Sequence, residues 1–197
     1  PRLLRSGLAF FNASTALRAQ PELLIATARL LGSYLVAFEG REQLMAVFLR
    51  LVDLRELAAQ LESDSCGVRK HALWFASNLL TELDDEEALP AWKAVGGRMF
   101  DALARAAVEG SAFNRAEAMR CLYYIFAVAD VAWLRGVVPA LPPLFTNVLA
   151  GSDNATVFLG LQGLEQVVRR CPAALPVLRE SADFSARLDE LQSALSE

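Results

Sequence analysis

The chain has 197 residues, 54% hydrophobic and 21% charged, a composition that excludes intrinsic disorder and allows a sizeable core. Its 19 basic and 23 acidic residues give a net charge of −4, which argues against a general nucleic-acid binder. Three widely spaced cysteines and one histidine argue against a disulfide framework or a structural zinc site, so we expect free thiols in a reducing compartment.

Helical signals fill the chain, and no sustained alternation of apolar and polar residues predicts a strand, so we predict an all-α fold. Three prolines predict an irregular segment at 137–149. The predicted helices are 2–19, 21–38, 41–61 with a bend near Asp53, a helix carrying 68–80 and capped by Asp64 or Ser65, 91–108 behind Pro90, 113–128, 131–135 capped by Asp130, 154–170, 175–180 and 184–195.

No targeting or membrane-spanning segment is predicted. The longest uncharged run, 136–152, is too short for a span and contains the three prolines. We therefore expect a soluble intracellular protein of the cytoplasm or nucleus. The chain starts at Pro1 rather than Met, so we also expect a preceding segment, and an organelle address within it stays open.

The helix carrying 68–80 has two different faces. Trp74 and Asn78 are four residues apart and therefore lie one turn above the other, away from the apolar stripe. Four apolar residues at helical spacing predict the buried stripe: Leu73, Ala76, Leu79 and Leu80.

The long helices form a repeat. Ala28, Ala72, Ala118 and Gly160 superimpose at steps of 44, 46 and 42 residues, within the ~40–47 of armadillo and HEAT units. In this register the predicted core positions are Leu73, Met119 and Leu161; Gly32, Ala76, Leu122 and Leu164; Leu35, Leu79, Ile125 and Val167; and Val36, Leu80, Phe126 and Val168.

Residues 69–79 resemble the third-helix signature of the importin-α-like branch of the armadillo family. The resemblance implies a right-handed α-solenoid whose concave groove holds an extended peptide. In that family the Asn clamps the peptide main chain, the Trp walls form slots for lysine or arginine stems, and acidic side chains receive the cationic heads. We expect four units, at about 1–39, 40–83, 84–129 and 130–171, then capping helices at 172–197, as part of a longer solenoid.

The other units replace the Trp/Asn pair, which points to a shortened or altered groove. Importin-like binding uses such pairs on successive repeats, and we expect Arg120 to repel a basic ligand. The predicted peptide-binding residues, called the ridge below, are Leu30, Tyr34, Trp74, Asn78, Arg120, Tyr124, Gln162 and Gln166. An alternative stays open for the central pair, in which Trp74 packs between repeats and Asn78 satisfies a loop carbonyl.

An acidic run follows the central helix. It can attract a basic partner, but we favour a solvated loop that caps the following helix. Its members are Glu82, Asp84, Asp85, Glu86 and Glu87.

No catalytic constellation, metal site or cofactor motif is predicted. His71 has no Ser, Cys or carboxylate arranged with it, and Gly96–Gly97 lacks a phosphate-loop pattern. We therefore predict a non-enzymatic protein-binding scaffold whose partner is a protein or an extended peptide, a basic one among the options. The alternative is an architectural subunit of a large assembly.

Overall fold

A computed structural model of the chain describes residues 2–13, 19–37, 51–81, 85–151 and 153–194, with the backbone alone at 2–4 and 85–96. These residues form helices and contain no β-strand, which confirms the all-α prediction. The helices are α1 (Arg2–Asn12), α2 (Pro21–Ala37), α3 (Leu54–Leu61), α4 (Cys66–Thr81), α5 (Asp85–Glu109), α6 (Ala112–Val128), α7 (Val131–Val137), a 3₁₀ turn (Val138–Ala140), α8 (Leu141–Leu149), α9 (Asn154–Arg170), α10 (Ala174–Glu180) and α11 (Ala182–Ala194).

The chain divides into two compact units, Pro1–Leu103 and Ala104–Glu197, with the boundary inside α5. In the first unit α2 packs along α4, while α1 lies on α2 and α3 on α4. In the second unit α6 packs along α9, with α8 against α9 and α11 against α8. The closely packed pairs, α2 with α4 and α6 with α9, are the helices that superimpose in the sequence repeat.

The α2–α4 interface is built from reciprocal contacts between a glycine and a large side chain. A Cβ atom at Gly32 of α2 would overlap Cζ3 of Trp74 and lie 2.8 Å from its Cε3. Conversely, a Cβ atom at Gly67 of α4 would lie 2.8 Å from Cδ1 of Ile25. Each helix therefore receives a large side chain of its neighbour against bare backbone.

The predicted apolar stripe of α4 forms the core of the first unit. Its four residues are at most 2% exposed: Leu73, Ala76, Leu79 and Leu80. Phe75 adds an edge-to-face contact with Phe11 of α1, with ring centroids 5.0 Å apart. Burying each of the three leucines contributes about 1.5–3 kcal/mol, so this stripe secures the position of α4.

The second unit has a corresponding core. Phe126 of α6 packs against Phe145 of α8, with ring centroids 6.1 Å apart, and lies beside Gly163 of α9. Arg170 donates a hydrogen bond to the Phe126 carbonyl at the end of α6 (2.8 Å). The Phe126 carbonyl lies in the last turn of α6 and has no partner within that helix, so the arginine of α9 satisfies it.

Side-chain caps fix several helix starts, as predicted. Asp130 accepts from the backbone N–H of Trp133 at 2.7 Å, and Ser65 accepts from that of Val68 at 3.4 Å. At α9 the cap is Asp153, which places Asn154 as the first helical residue. These acceptors satisfy backbone donors that have no partner inside the helix.

Two predicted boundaries in the first unit are wrong. The first helix ends at Asn12 rather than 19, because the Asn12 side chain turns to the segment 51–53, donating to the Leu51 carbonyl (2.6 Å) and accepting from the Asp53 N–H (2.8 Å). Asp53 is not a bend within a helix but the N-cap of α3. Residues 14–18 and 38–50 lie outside the described part of the chain.

Two predictions that treated proline as a helix breaker are wrong. Helix α5 begins at Asp85 and contains Pro90, and acidic residues in a first turn favour such a start through the helix dipole. The segment 141–149 is a regular helix, because Pro142 and Pro143 fall in its first turn, where a backbone N–H needs no intrahelical partner. Helix α7 likewise continues through Gly136 to Val137.

The repeat register predicts core positions well but not everywhere. Val36 and Leu161 are 54% and 38% exposed, and Leu164 and Val168 are half-buried. The register specifies which residues share a face of the helix. Burial also requires a neighbouring helix over that face, and a sequence repeat does not show how far the neighbour reaches.

Gly160→Ala tests the close packing of α9. The added Cβ atom would lie 2.6 Å from Cγ1 of Val148, a stiff, buried side chain of α8. We expect the free energy of unfolding to fall by about 1–3 kcal/mol in urea titrations.

Gly97→Ala is the matched control, because nothing lies within 4 Å of a Cβ atom at this exposed position of α5. Helix propensity should raise the stability of this variant by up to about 1 kcal/mol. Equal effects of the two substitutions would contradict the α8–α9 packing.

Candidate functional site

The eight ridge residues share one level of exposure: each is half-buried. Leu30, Tyr34, Trp74 and Asn78 lie on the packed pair α2 and α4 of the first unit. The other four, Arg120, Tyr124, Gln162 and Gln166, lie on the packed pair α6 and α9 of the second unit. In each unit the ridge residues therefore lie on a packed helix pair, neither fully buried nor fully exposed.

Trp74 has a packing role. Its ring lies against the backbone of α2 at Gly32, between the ridge positions Leu30 and Tyr34 in the chain. This contact agrees with the alternative in which Trp74 packs between neighbouring helices. Because the side chain is only half-buried, part of it still reaches the surface.

Asn78 carries a polar group in an unfavourable position. Its side-chain nitrogen is buried and has no hydrogen-bond partner within the described residues, so the loop carbonyl considered above is not found there. A buried donor without a partner costs about 1–3 kcal/mol relative to a bonded one. An acceptor from another molecule would recover that free energy on reaching the amide.

Arg120 is held in an ion pair. Its Nη1 lies 3.0 Å and 3.2 Å from the two carboxylate oxygens of Glu117, which is only 6% exposed. The neighbouring carboxylate offsets the positive charge, and the repulsion expected for a basic ligand is weakened accordingly. Beside it, the rings of Tyr124 and Tyr123 meet edge to face at 5.2 Å.

The predicted acidic loop is partly helical. Glu82 and Asp84 lie outside the described residues, whereas Asp85, Glu86 and Glu87 form the first turn of α5. The prediction of a loop is therefore wrong at 85–87.

The surroundings of His71 favour its neutral form. Partial burial lowers its pKa from 6.5, and the positive charges of Arg29 and Lys70 lower it further.

The three cysteine thiols differ in exposure. Cys66 is exposed, whereas Cys121 and Cys171 are buried, and burial raises the pKa of Cys121.

The described ranges contain neither a cluster of metal-binding side chains nor a helix able to span a membrane. In them, no three His, Cys, Asp or Glu side chains gather closely enough to hold a metal ion. Nor does any helix there combine the length and apolarity that crossing a bilayer requires.

The sequence prediction missed Gln60, a polar residue in the core. It is 3% exposed, and neither of its amide atoms has a hydrogen-bond partner in the described part of the chain. A signal was available, because Gln60 lies three residues after the apolar Leu57 and thus on the buried face of α3.

Comparison with known proteins adds no family. The chain matches no protein-family model, and a search of curated proteins finds no match. The armadillo resemblance stays a prediction that depends on residues 69–79 and the repeat register.

The lowered pKa of His71 predicts a loss of stability in acid. The unfolded chain takes up the proton near pH 6.5, whereas the folded chain resists until its lower pKa is reached. The free energy of unfolding should therefore fall as the pH drops from about 7.5 to about 5.5. Thermal melts across this range test the expectation.

His71→Gln is the control, since it removes the only histidine. The variant should lose less stability than the wild type over the same range. Parallel stability curves for the two proteins would rule out a lowered pKa at His71.

Proposed function

We propose that the chain is a non-enzymatic protein-binding scaffold of the armadillo-like α-solenoid type, which grips an extended peptide along its ridge. The repeat supports this, because helices 44 and 42 residues apart in the register pack side by side as α2 with α4 and α6 with α9. An intracellular setting, in the cytoplasm or nucleus, belongs to the same proposal.

The observation that carries the proposal is the composition and exposure of the ridge in the first unit. Two aromatic residues, Tyr34 and Trp74, and Asn78 are half-buried on two adjoining helices, and the side-chain nitrogen of Asn78 is itself buried. Tyrosine and tryptophan are enriched in protein interfaces because they offer rigid area with little loss of conformational freedom.

Asn78 supplies the specific contact in this mechanism. A peptide carbonyl that reaches its buried nitrogen replaces an unpaired donor with a hydrogen bond, while the accessible part of Trp74 packs against an aliphatic stem. Main-chain recognition of this kind tolerates different side chains. A lysine-rich peptide additionally gains from cation–π attraction to the indole.

Asn78→Ala should weaken peptide binding without unfolding the protein. It removes the amide but breaks no side-chain hydrogen bond of that nitrogen in the described residues, so stability should hold or rise slightly. We expect the affinity for a fluorescein-labelled lysine-rich peptide to drop about tenfold or more in anisotropy titrations, since one hydrogen bond of about 1.4 kcal/mol is lost.

Asn154→Ala is the matched control, an exposed asparagine at the first position of α9. It should leave the affinity unchanged. A wild-type affinity in Asn78→Ala, or failure of the wild type to bind lysine-rich or neutral extended peptides, contradicts the proposal.

A second candidate function, an architectural subunit of a large assembly, is favoured by exposed apolar side chains. Phe158 and Leu161 are 61% and 38% exposed and lie one turn apart on α9. Side chains of this kind are covered at permanent interfaces. Clean monomeric behaviour of the purified chain at high concentration counts against this function.

A further inference from the structure

A cavity of about 440 Å³ lies in the first unit, away from the ridge. It is found at the N-terminal ends of α2 and α4, whereas the ridge residues occupy the C-terminal halves of these helices. Pro21 and Leu24 of α2 and Val68 of α4 form an apolar wall. The volume falls within the ~300–1,000 Å³ of small-molecule sites.

The polar side of the cavity is firmly held. Arg69 donates from Nη1 to the carbonyls of Ser63 (2.5 Å) and Asp64 (3.0 Å), which fixes the loop between α3 and α4. Arg98 donates to Glu62 Oε2 from Nε (2.9 Å) and Nη2 (2.5 Å), so the two charges at the rim neutralise each other. The cavity therefore has a formed wall, and Asp64 is its charged lining residue outside this ion pair.

Gln60 is the unusual member of the lining. Both its amide oxygen and its amide nitrogen are buried, and neither has a hydrogen-bond partner within the described residues. Leaving a buried donor and a buried acceptor unpaired costs free energy twice. Gln60 lines the cavity, and its side chain has three rotatable bonds. Binding at the cavity requires these bonds to turn the amide towards the ligand.

We propose that this cavity binds a primary carboxamide through Gln60. A carboxamide presents a donor and an acceptor side by side and can pair reciprocally with the Gln60 amide through two hydrogen bonds. Leu24 and Val68, in the apolar wall, then contact the apolar group to which the carboxamide is attached. A carboxylate lacks the donor, and the negative charge of Asp64, a lining residue, disfavours a second negative charge.

A comparison of benzamide with benzoate, the carboxylate of the same ring, tests whether the cavity prefers a carboxamide. The benzamide ring suits the apolar wall, whereas benzoate has nearly the same shape but a negative charge and no donor. We expect saturable benzamide binding in the millimolar range, typical of so small a ligand, with benzoate at least about tenfold weaker in NMR titrations of the whole chain. Equal binding of the two, or no saturable response, overturns the proposal.

A second set of titrations, with peptides, distinguishes a free small-molecule ligand from a side chain of a partner protein. Capped Leu-Gln-Leu and Leu-Glu-Leu tripeptides present the same pair of groups on a main chain. Preference for the glutamine peptide over its glutamate counterpart assigns the site to a partner's Gln or Asn side chain. If benzamide alone binds, the site is assigned to a free small molecule.

Gln60→Met separates binding from folding. Methionine keeps the length of the side chain and removes the unpaired polar atoms, so the melting temperature should rise by about 2–4 °C while benzamide binding weakens at least tenfold. Gln192→Met, at an exposed position of α11, is the matched control and should bind benzamide like the wild type. Unchanged binding in Gln60→Met, or a lower melting temperature, overturns the proposal.

Discussion

The close approach of α2 to α4 is the contact on which the first unit depends. It places Gly32 beneath the Trp74 ring, where a Cβ atom would overlap the ring, and Gly67 beneath the terminal methyl group of Ile25. Because each helix carries one glycine and one large side chain, the two contacts fix both the spacing and the register of the pair. The apolar stripe of α4 then turns inward, and Asn78, one turn beyond Trp74, is brought to the edge of the interface.

The residues proposed to bind a peptide in this unit also take part in its packing. Trp74 is held by Gly32 yet reaches the surface, so a peptide bound as proposed would meet a ring that is already positioned. Asn78 and Gln60 hold buried amide atoms without partners in the described residues, one near each end of the α2–α4 pair. Stability alone would favour apolar residues at these positions, and such departures from local rules concentrate at functional sites.

The sequence predicted what local patterns determine. The stripe of α4 follows from periodicity, and the caps at Ser65 and Asp130 follow from capping chemistry. The failures concern contacts between distant segments. Val36 was expected in the core but is exposed, and the Trp74–Gly32 contact could not be read from α4 alone. Its trace in the sequence was a glycine at a register position that elsewhere carries alanine or leucine.

A double-mutant cycle at Gly32 and Trp74 tests the central contact most directly. In the presence of Trp74, Gly32→Ala should lower the free energy of unfolding, because the new Cβ atom would overlap the ring. In a Trp74→Leu background the same substitution should be neutral or stabilising. We predict a coupling free energy of about 1–3 kcal/mol between the two sites, and effects that add within about 0.5 kcal/mol would contradict the contact.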